Sequence, residues 1–306
     1  MLQQSMSRTQ EHFLSFDVEE HFQVNAFESP LRRRHWDACE SRVERNTEKL
    51  LALLARHRYR ATFFVLGWIA ERHRQLVRRI AAQGHEVASH GYGHELITGL
   101  TRDAFRADVQ RAKRCLEDLI GAPVCGYRAP SFTIVRETRW ALEVLVEEGH
   151  RYDSSVVPIV HDVYGMPGAD PHLHRIDTPA GSIWELPPST ARWLGTRIPV
   201  GGGGYFRLYP YALLRHWLRR IEAQGQPLMF YLHPWELDPE QPRMSGRRLS
   251  TFRHYLNLDR VEARLERLLD DFRFTSVREL LPDCARRWER QNTAPATARL
   301  ARARAL

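Results

Sequence analysis

From Phe13 to about Val157, short apolar runs alternate with longer stretches in which apolar residues recur every three or four positions. A parallel sheet with crossover helices produces that rhythm, because its strands are buried on both faces and its helices on one. Strands are expected at Phe13–Phe16, Ala61–Leu66, Glu86–Ser89, Val124–Tyr127 and Tyr152–Val157. Between them, helices are expected at Asn46–His57, Glu71–Gln83, Thr101–Ile120 and Glu137–Glu148. Thr101 supplies a cap, and Gly84, Gly121 and Gly149 supply stops.

After Pro158 the rhythm loosens. Residues 158–210 are rich in Pro and Gly and contain the run Gly201-Gly202-Gly203-Gly204. No Lys-Ser/Thr pair follows those glycines, so a phosphate-cradling loop is disfavoured. Close approach of the backbone to a ligand or to another chain segment explains them better. The strand–helix pattern then returns as a helix Tyr211–Gln224, a strand Leu228–Leu232, a helix Asp259–Asp271 and a strand Phe274–Ser276. The whole reads as an α/β barrel-like domain over residues 13–290 with a mid-chain insertion. Residues 1–12 read as a disordered leader, and 291–306, lacking aromatics, as a disordered tail.

Composition narrows the class. The chain has 306 residues, 43% of them hydrophobic and 27% charged, as expected of a globular protein. Its four cysteines show no Cys-x-x-Cys spacing, which argues against a zinc ribbon and for reduced thiols in the cytosol. No apolar run approaches the roughly 18 residues that span a bilayer, and the N-terminus lacks an export signal. The net charge of +8 raises nucleic acid as a partner. However, the arginines are scattered in pairs such as Arg78-Arg79 and Arg219-Arg220, and basic and aromatic residues form no cluster, so nucleic acid is not expected. An anionic glycan or an anionic membrane surface remains open.

Polar motifs follow the apolar runs. Ser89-His90-Gly91-Tyr92-Gly93-His94 ends one expected strand, and its two imidazoles could reach one metal ion. Asp17-Val18-Glu19-Glu20 ends another, where barrel enzymes place catalytic groups. If that strand continues, Asp17 and Glu19 face the same side. Arg128-Ala129-Pro130-Ser131 offers a forked partner for a carboxylate. Asp153 lies at the start of the fifth strand, and His233 ends the very apolar run Leu228–Leu232 in a suitable position for a general acid. Two histidines and a carboxylate would leave a coordination position for water, whose pKa zinc lowers to about 7.

In this order the motifs resemble the polysaccharide deacetylase family, the NodB-homology group or carbohydrate esterase family four. The matching segments are Phe16-Asp17, Ser89-His90 with His94, Arg128 with Pro130, the Asp153 region and Leu232-His233. Asp17–Val24, Gly126–Phe132, Gly201–Phe206 and His233–Pro239 resemble more narrowly the deacetylases of exosortase/PEP-CTERM exopolysaccharide loci.

The resemblance implies a distorted (β/α) barrel of about seven repeats, whose subgroup-specific part is about 158–280. It implies removal of N-acetyl groups from hexosamines of an exopolysaccharide or its precursor, with a divalent metal, zinc first. By motif, Asp17 is the base, Arg128 its orienter, His233 the acid and Asp153 the partner of His233. His90 and His94 are metal ligands, and Tyr127, Pro130 and Trp235 contact substrate. Val18 stands where most members carry a second aspartate, so acid-x-acid spacing assigns Glu19 as third ligand, with Glu20 the alternative. A cyclic-amide hydrolase and a non-catalytic glycan-binding module are the rival readings. The expected location is the cytoplasm, peripheral to the inner membrane beside a polysaccharide synthesis complex.

Overall fold

The computed structural model describes residues 10–27, 33–161, 163–246 and 248–292. The nine residues of the expected leader that precede Gln10, and the tail beyond Asn292, lie outside them. Its centre is β1 (Glu11–Val18), fully buried after its first residue. β1 begins two residues inside the stretch read as a leader and is hydrogen-bonded in parallel to three other strands. These are β2 (Thr62–Val65), β10 (Met229–Leu232) and, at its N-terminal end, β11 (Arg273–Thr275).

The sheet continues from β2 through β3 (Glu86–Ser89), β4 (Gly126–Tyr127) and β5 (Tyr152–Asp153) to β7 (Gly181–Glu185), all parallel. β6 (His174–Thr178) closes that end as an antiparallel edge strand. The architecture is therefore mixed α/β around a parallel sheet, as the alternating pattern requires. Phe13, Phe64, Ala88, Tyr152 and Met229, from five of the strands, meet in one buried cluster with Leu186. Such convergence gives the sheet a barrel-like interior. Strand pairing itself runs as an open path from β10 to β6. Beside β10 the next backbone is the glycine run, where Tyr231 N–H donates to Gly201 C=O at 2.8 Å. A Cβ on Gly202 would stand 1.8 Å from the Tyr231 carbonyl oxygen, so only glycine permits this approach.

Helices cover the outer face. α1 (Val43–His57) and α4 (Arg102–Ile120) form where expected. Thr101 Oγ1 accepts from Ala104 N–H at 3.2 Å, and Gly121 takes the left-handed φ of 65° that ends α4. The single helix expected over 71–83 is instead two, α2 (Gly67–Arg72) and α3 (Arg74–Ala82), broken at His73. α5 (Trp140–Glu147) follows, then the short α6 (Gly203–Leu208), α7 (Tyr211–Ala223), α8 (Arg248–Tyr255) and α9 (Val261–Asp271). α10 (Val277–Asn292) brings Val277 and Leu280 under the interior cluster.

The loosened region contains more structure than its Pro and Gly content suggested. Besides β6 and β7 it holds a separate antiparallel hairpin, β8 (Thr190–Trp193) and β9 (Thr196–Pro199). No helix among the described residues is long and apolar enough to cross a membrane.

Candidate active site

The ends of β1, β3 and β10 deliver the polar motifs to one cavity of about 210 Å³. It is lined by Asp17, Glu19, His90, His94, His233 and Trp235, with Asn25, Phe132 and Tyr231 among their neighbours. Glu19, His90 and His94 each offer a ligand atom within 4.8 Å of the others. Glu19 Oε2 lies 2.7 Å from His94 Nε2 and 3.8 Å from His90 Nε2. Beyond those imidazoles it has no hydrogen-bond partner, although all three residues are buried. A buried carboxylate oxygen left with only two imidazoles is chemically suited to a divalent cation.

The surroundings hold these groups in place. His90 Nδ1 faces the Arg128 carbonyl at 2.8 Å, which fixes the ring and leaves Nε2 for the cluster. Glu19 Oε1 accepts from the Trp235 indole at 3.0 Å. The loop between the histidines is pinned by Asp108 of α4, which accepts from Tyr92 N–H at 2.8 Å and Gly93 N–H at 3.1 Å. Gly91, at φ 75°, leaves room for that carboxylate, whose oxygen would sit 2.8 Å from an added Cβ. Burial alone would push the Glu19 carboxyl up, but the His94 and His233 charges hold it well below the usual range.

Glu20 faces elsewhere. Its carboxylate accepts from Arg42 N–H at 3.0 Å and Val43 N–H at 3.1 Å, and from the Ser41 hydroxyl, capping α1. The structure thus brings Glu19, and not Glu20, to the histidines.

Arg128 is buried within the sheet interior. Its Nη1 donates to Asp17 Oδ1 at 2.6 Å and Ser15 Oγ at 2.9 Å, while Nε and Nη2 reach Ser154. Asp17 Oδ2 points into the cavity, 3.9 Å from His233 Nε2.

His233 does not meet Asp153. Its Nδ1 lies 2.8 Å from Glu236 Oε1, in the 3-10 turn Pro234–Leu237, and Glu236 Oε2 accepts from Arg207 Nε at 2.7 Å. Burial would lower the imidazole's pKa, but Glu19, Glu236 and Asp17 raise it above the ordinary value. Glu236 stands three positions after His233, within the reach of that turn; nothing in the sequence singled out Arg207.

Asp153 accepts instead from Ser155 Oγ at 2.6 Å and stands beside Glu185 of β7, its register partner. Burial pushes Asp153 up to about 6 and Glu185 further above its usual range. Because both folded values are raised, the native state holds extra protons from about pH 4, the ordinary carboxyl value, up to about pH 6 for Asp153 and beyond that for Glu185. The stability these groups contribute is full below that window and is lost as pH rises through it. Denaturation of Glu185→Gln should therefore show a flatter decline over pH 4 to 6.5 than the parent; an identical slope would exclude this assignment.

Of the three residues expected to contact substrate, only Trp235 lines the cavity. Tyr127 is 1% exposed and packs edge-on to Phe105 in the core, on the opposite side of the extended chain from its neighbour Arg128. Pro130 is buried and opens the turn in which Ser131 and Phe132 take φ of 51° and 55°. Such left-handed backbone at non-glycine residues clusters at functional cavities, and here it delivers Phe132 to the cavity wall.

Asp17 and His233 beside a Glu-His-His cluster at the edge of a parallel sheet form an arrangement with the chemistry that metal-assisted hydrolysis requires. Residues 35–146 match the family model "Polysaccharide deacetylase", and residues 154–282 match a domain of unknown function, DUF3473. A peptidoglycan-N-acetylglucosamine deacetylase of Bacillus cereus is 34% identical over 98 residues, 32% of this chain and 36% of that protein. A chitooligosaccharide deacetylase of Rhizobium leguminosarum bv. trifolii is 40% identical over 70 residues, 23% of this chain and 33% of that one.

The chain thus spans about a third of the length of these curated relatives. Two solved structures share the fold. One, from Mycobacterium smegmatis and provisionally assigned as a polysaccharide deacetylase, has a TM-score of 0.60 at 21% identity, covering 92% of this chain and 91% of that one. The other, an allantoinase, has a TM-score of 0.58 at 15% identity, covering 92% and 91%. The family-model match and these curated relatives together make residues 35–146 similar to polysaccharide deacetylases.

Proposed function

We propose that the protein is a metal-dependent amide hydrolase that removes N-acetyl groups from hexosamine units of an exopolysaccharide or its precursor. The observation that carries this reading is the Glu19–His90–His94 cluster opening on the same cavity as Asp17 and His233. A Glu-His-His donor set suits zinc and leaves a position open. When bound, the metal polarises the acetyl carbonyl and acidifies water.

The chain's own residues do the rest. Arg128 holds Asp17 through Oδ1, so that Oδ2 accepts the proton of the attacking water. His233, fixed at Nδ1 by Glu236, presents Nε2 to the leaving nitrogen and donates the proton that frees the amine. Acetate and a hexosamine are the products. The exopolysaccharide assignment rests on the motifs Asp17–Val24 and Gly201–Phe206, and the deacetylase names of the curated relatives agree with an N-acetylated glycan.

The test is acetate release from N-acetylglucosamine oligomers by metal-loaded protein, with loss on chelation and recovery on readdition of zinc. Absence of acetate from several N-acetylated polymers, with cleavage of a hydantoin-type ring instead, would overturn the reading.

A further inference from the structure

The β8–β9 hairpin breaks two local rules at its exposed tip. Arg192 and Arg197 are register partners across the antiparallel pair, where opposed like charges destabilise. Arg197 donates to Thr190 Oγ1 at 3.1 Å; burial first, and then the Arg192 charge, lower its pKa, and the Asp170 carboxylate offsets this only in part. The turn is Leu194-Gly195, with φ of 48° and 82°. Two-residue turns with both φ positive favour Asn-Gly, so an 83% exposed leucine there serves neither the turn nor the core.

Around that tip the surface is apolar. Trp193 is 51% exposed and lies 6.2 Å from the ring of Trp217 on α7. Leu213, four residues before Trp217 on the same helix face, is also exposed, and Trp217 packs against Tyr209, next to exposed Leu208. Among the described residues, four of the seven exposed large hydrophobic ones thus fall in this one region. Arg220, three residues after Trp217, adds another cation on that helix face.

We infer that this hairpin docks the protein on an anionic phospholipid surface. Trp193 would sit at headgroup depth and Leu194 just below it, while Arg192 and Arg197 meet the phosphates. Charge complementarity selects this partner. The opposed arginines repel one another in solution and are neutralised together by a sheet of anions. A Trp-Leu tip flanked by cations matches the layered chemistry of a bilayer interface, with apolar chains beneath charged headgroups. The inference stands apart from the hydrolase reading, because none of these residues lines the catalytic cavity.

The experiment is co-sedimentation of the full chain with vesicles of phosphatidylcholine alone or mixed with phosphatidylglycerol. Binding is expected only to the mixed vesicles and should weaken with salt. Arg192→Ala with Arg197→Ala should reduce it about tenfold or more, since each surface cation contributes substantially at an anionic membrane. Leu194→Asn is the decisive variant: it should raise the melting temperature by improving the turn, yet weaken vesicle binding. Cleavage of soluble substrate should be unchanged in each. No binding at low salt, or binding indifferent to all three substitutions, overturns the inference. In the second case a different basic surface is responsible.

Discussion

Replacing His94 with alanine is expected to remove stoichiometric divalent-metal binding and to lower turnover by about 100-fold or more. Losing only a supporting partner of a metal ligand already costs roughly 10–100-fold, and His94 is itself proposed as a ligand. Its Nε2 makes the closest approach to Glu19 Oε2, at 2.7 Å. Without it Glu19 Oε2 is left with the His90 imidazole alone. His94 also sits at φ 52°, so His94→Asn, which tolerates left-handed backbone, is the companion that separates ligand loss from backbone strain.

Metal content after dialysis, with circular dichroism to check the fold, measures the effect. Glu20→Gln is the control. It should keep the metal and lose about 1 kcal/mol of stability through the weakened α1 cap. If Glu20→Gln lost the metal and His94→Ala kept it, the ligand assignment would be wrong.

Arg128→Ala should destabilise the fold by roughly 3–5 kcal/mol, because it leaves the buried Asp17 carboxylate without its partner. The guanidinium also satisfies Ser15 and both the carbonyl and hydroxyl of Ser154. It lies 4.1 Å over the Phe64 ring, a contact that an ammonium's compact charge reproduces poorly. Arg128→Lys should therefore fold better than the alanine variant but turn over slowly. KM should change little if Asp17 acts as the proposed base, since the interaction then orients that base rather than the bound ground state. Urea denaturation and steady-state kinetics separate the two outcomes. A stability within about 1 kcal/mol of the parent for Arg128→Ala would show that Asp17 is solvated by another route.

Much of this arrangement could be read before the structure was known. The 19-residue α4, bracketed by Thr101 and Gly121, follows its caps to within a residue. The period-two argument placed Asp17 and Glu19 on one side, and both carboxylates do approach His233, at 3.9 and 3.7 Å. By the same alternation Glu20 turns away from the cavity toward α1.

What escaped the sequence were contacts made across long separations. The Trp235 bond to Glu19 spans 216 residues, and Asp108 reaches the histidine loop from a helix that reads as amphipathic on its own account. The partner of His233 was missed for the opposite reason. It lies three residues away, in a turn too short to show a period. Residues 158–210 were opaque because antiparallel strands of four and five residues carry too few alternations to register.

One sheet also joins two separately recognised sequence regions. β1 precedes both family-model matches, yet it is hydrogen-bonded to β2 from the first and to β10 and β11 from the second. A cut at the junction near residue 150 would leave each fragment with an unpaired, apolar strand edge, the template on which chains aggregate. The amino-terminal fragment would keep both histidines and Glu19 but lose His233. The Glu19–His90–His94 cluster and His233 thus reach a common cavity only when the two regions share β1, and neither region is a transferable module without it.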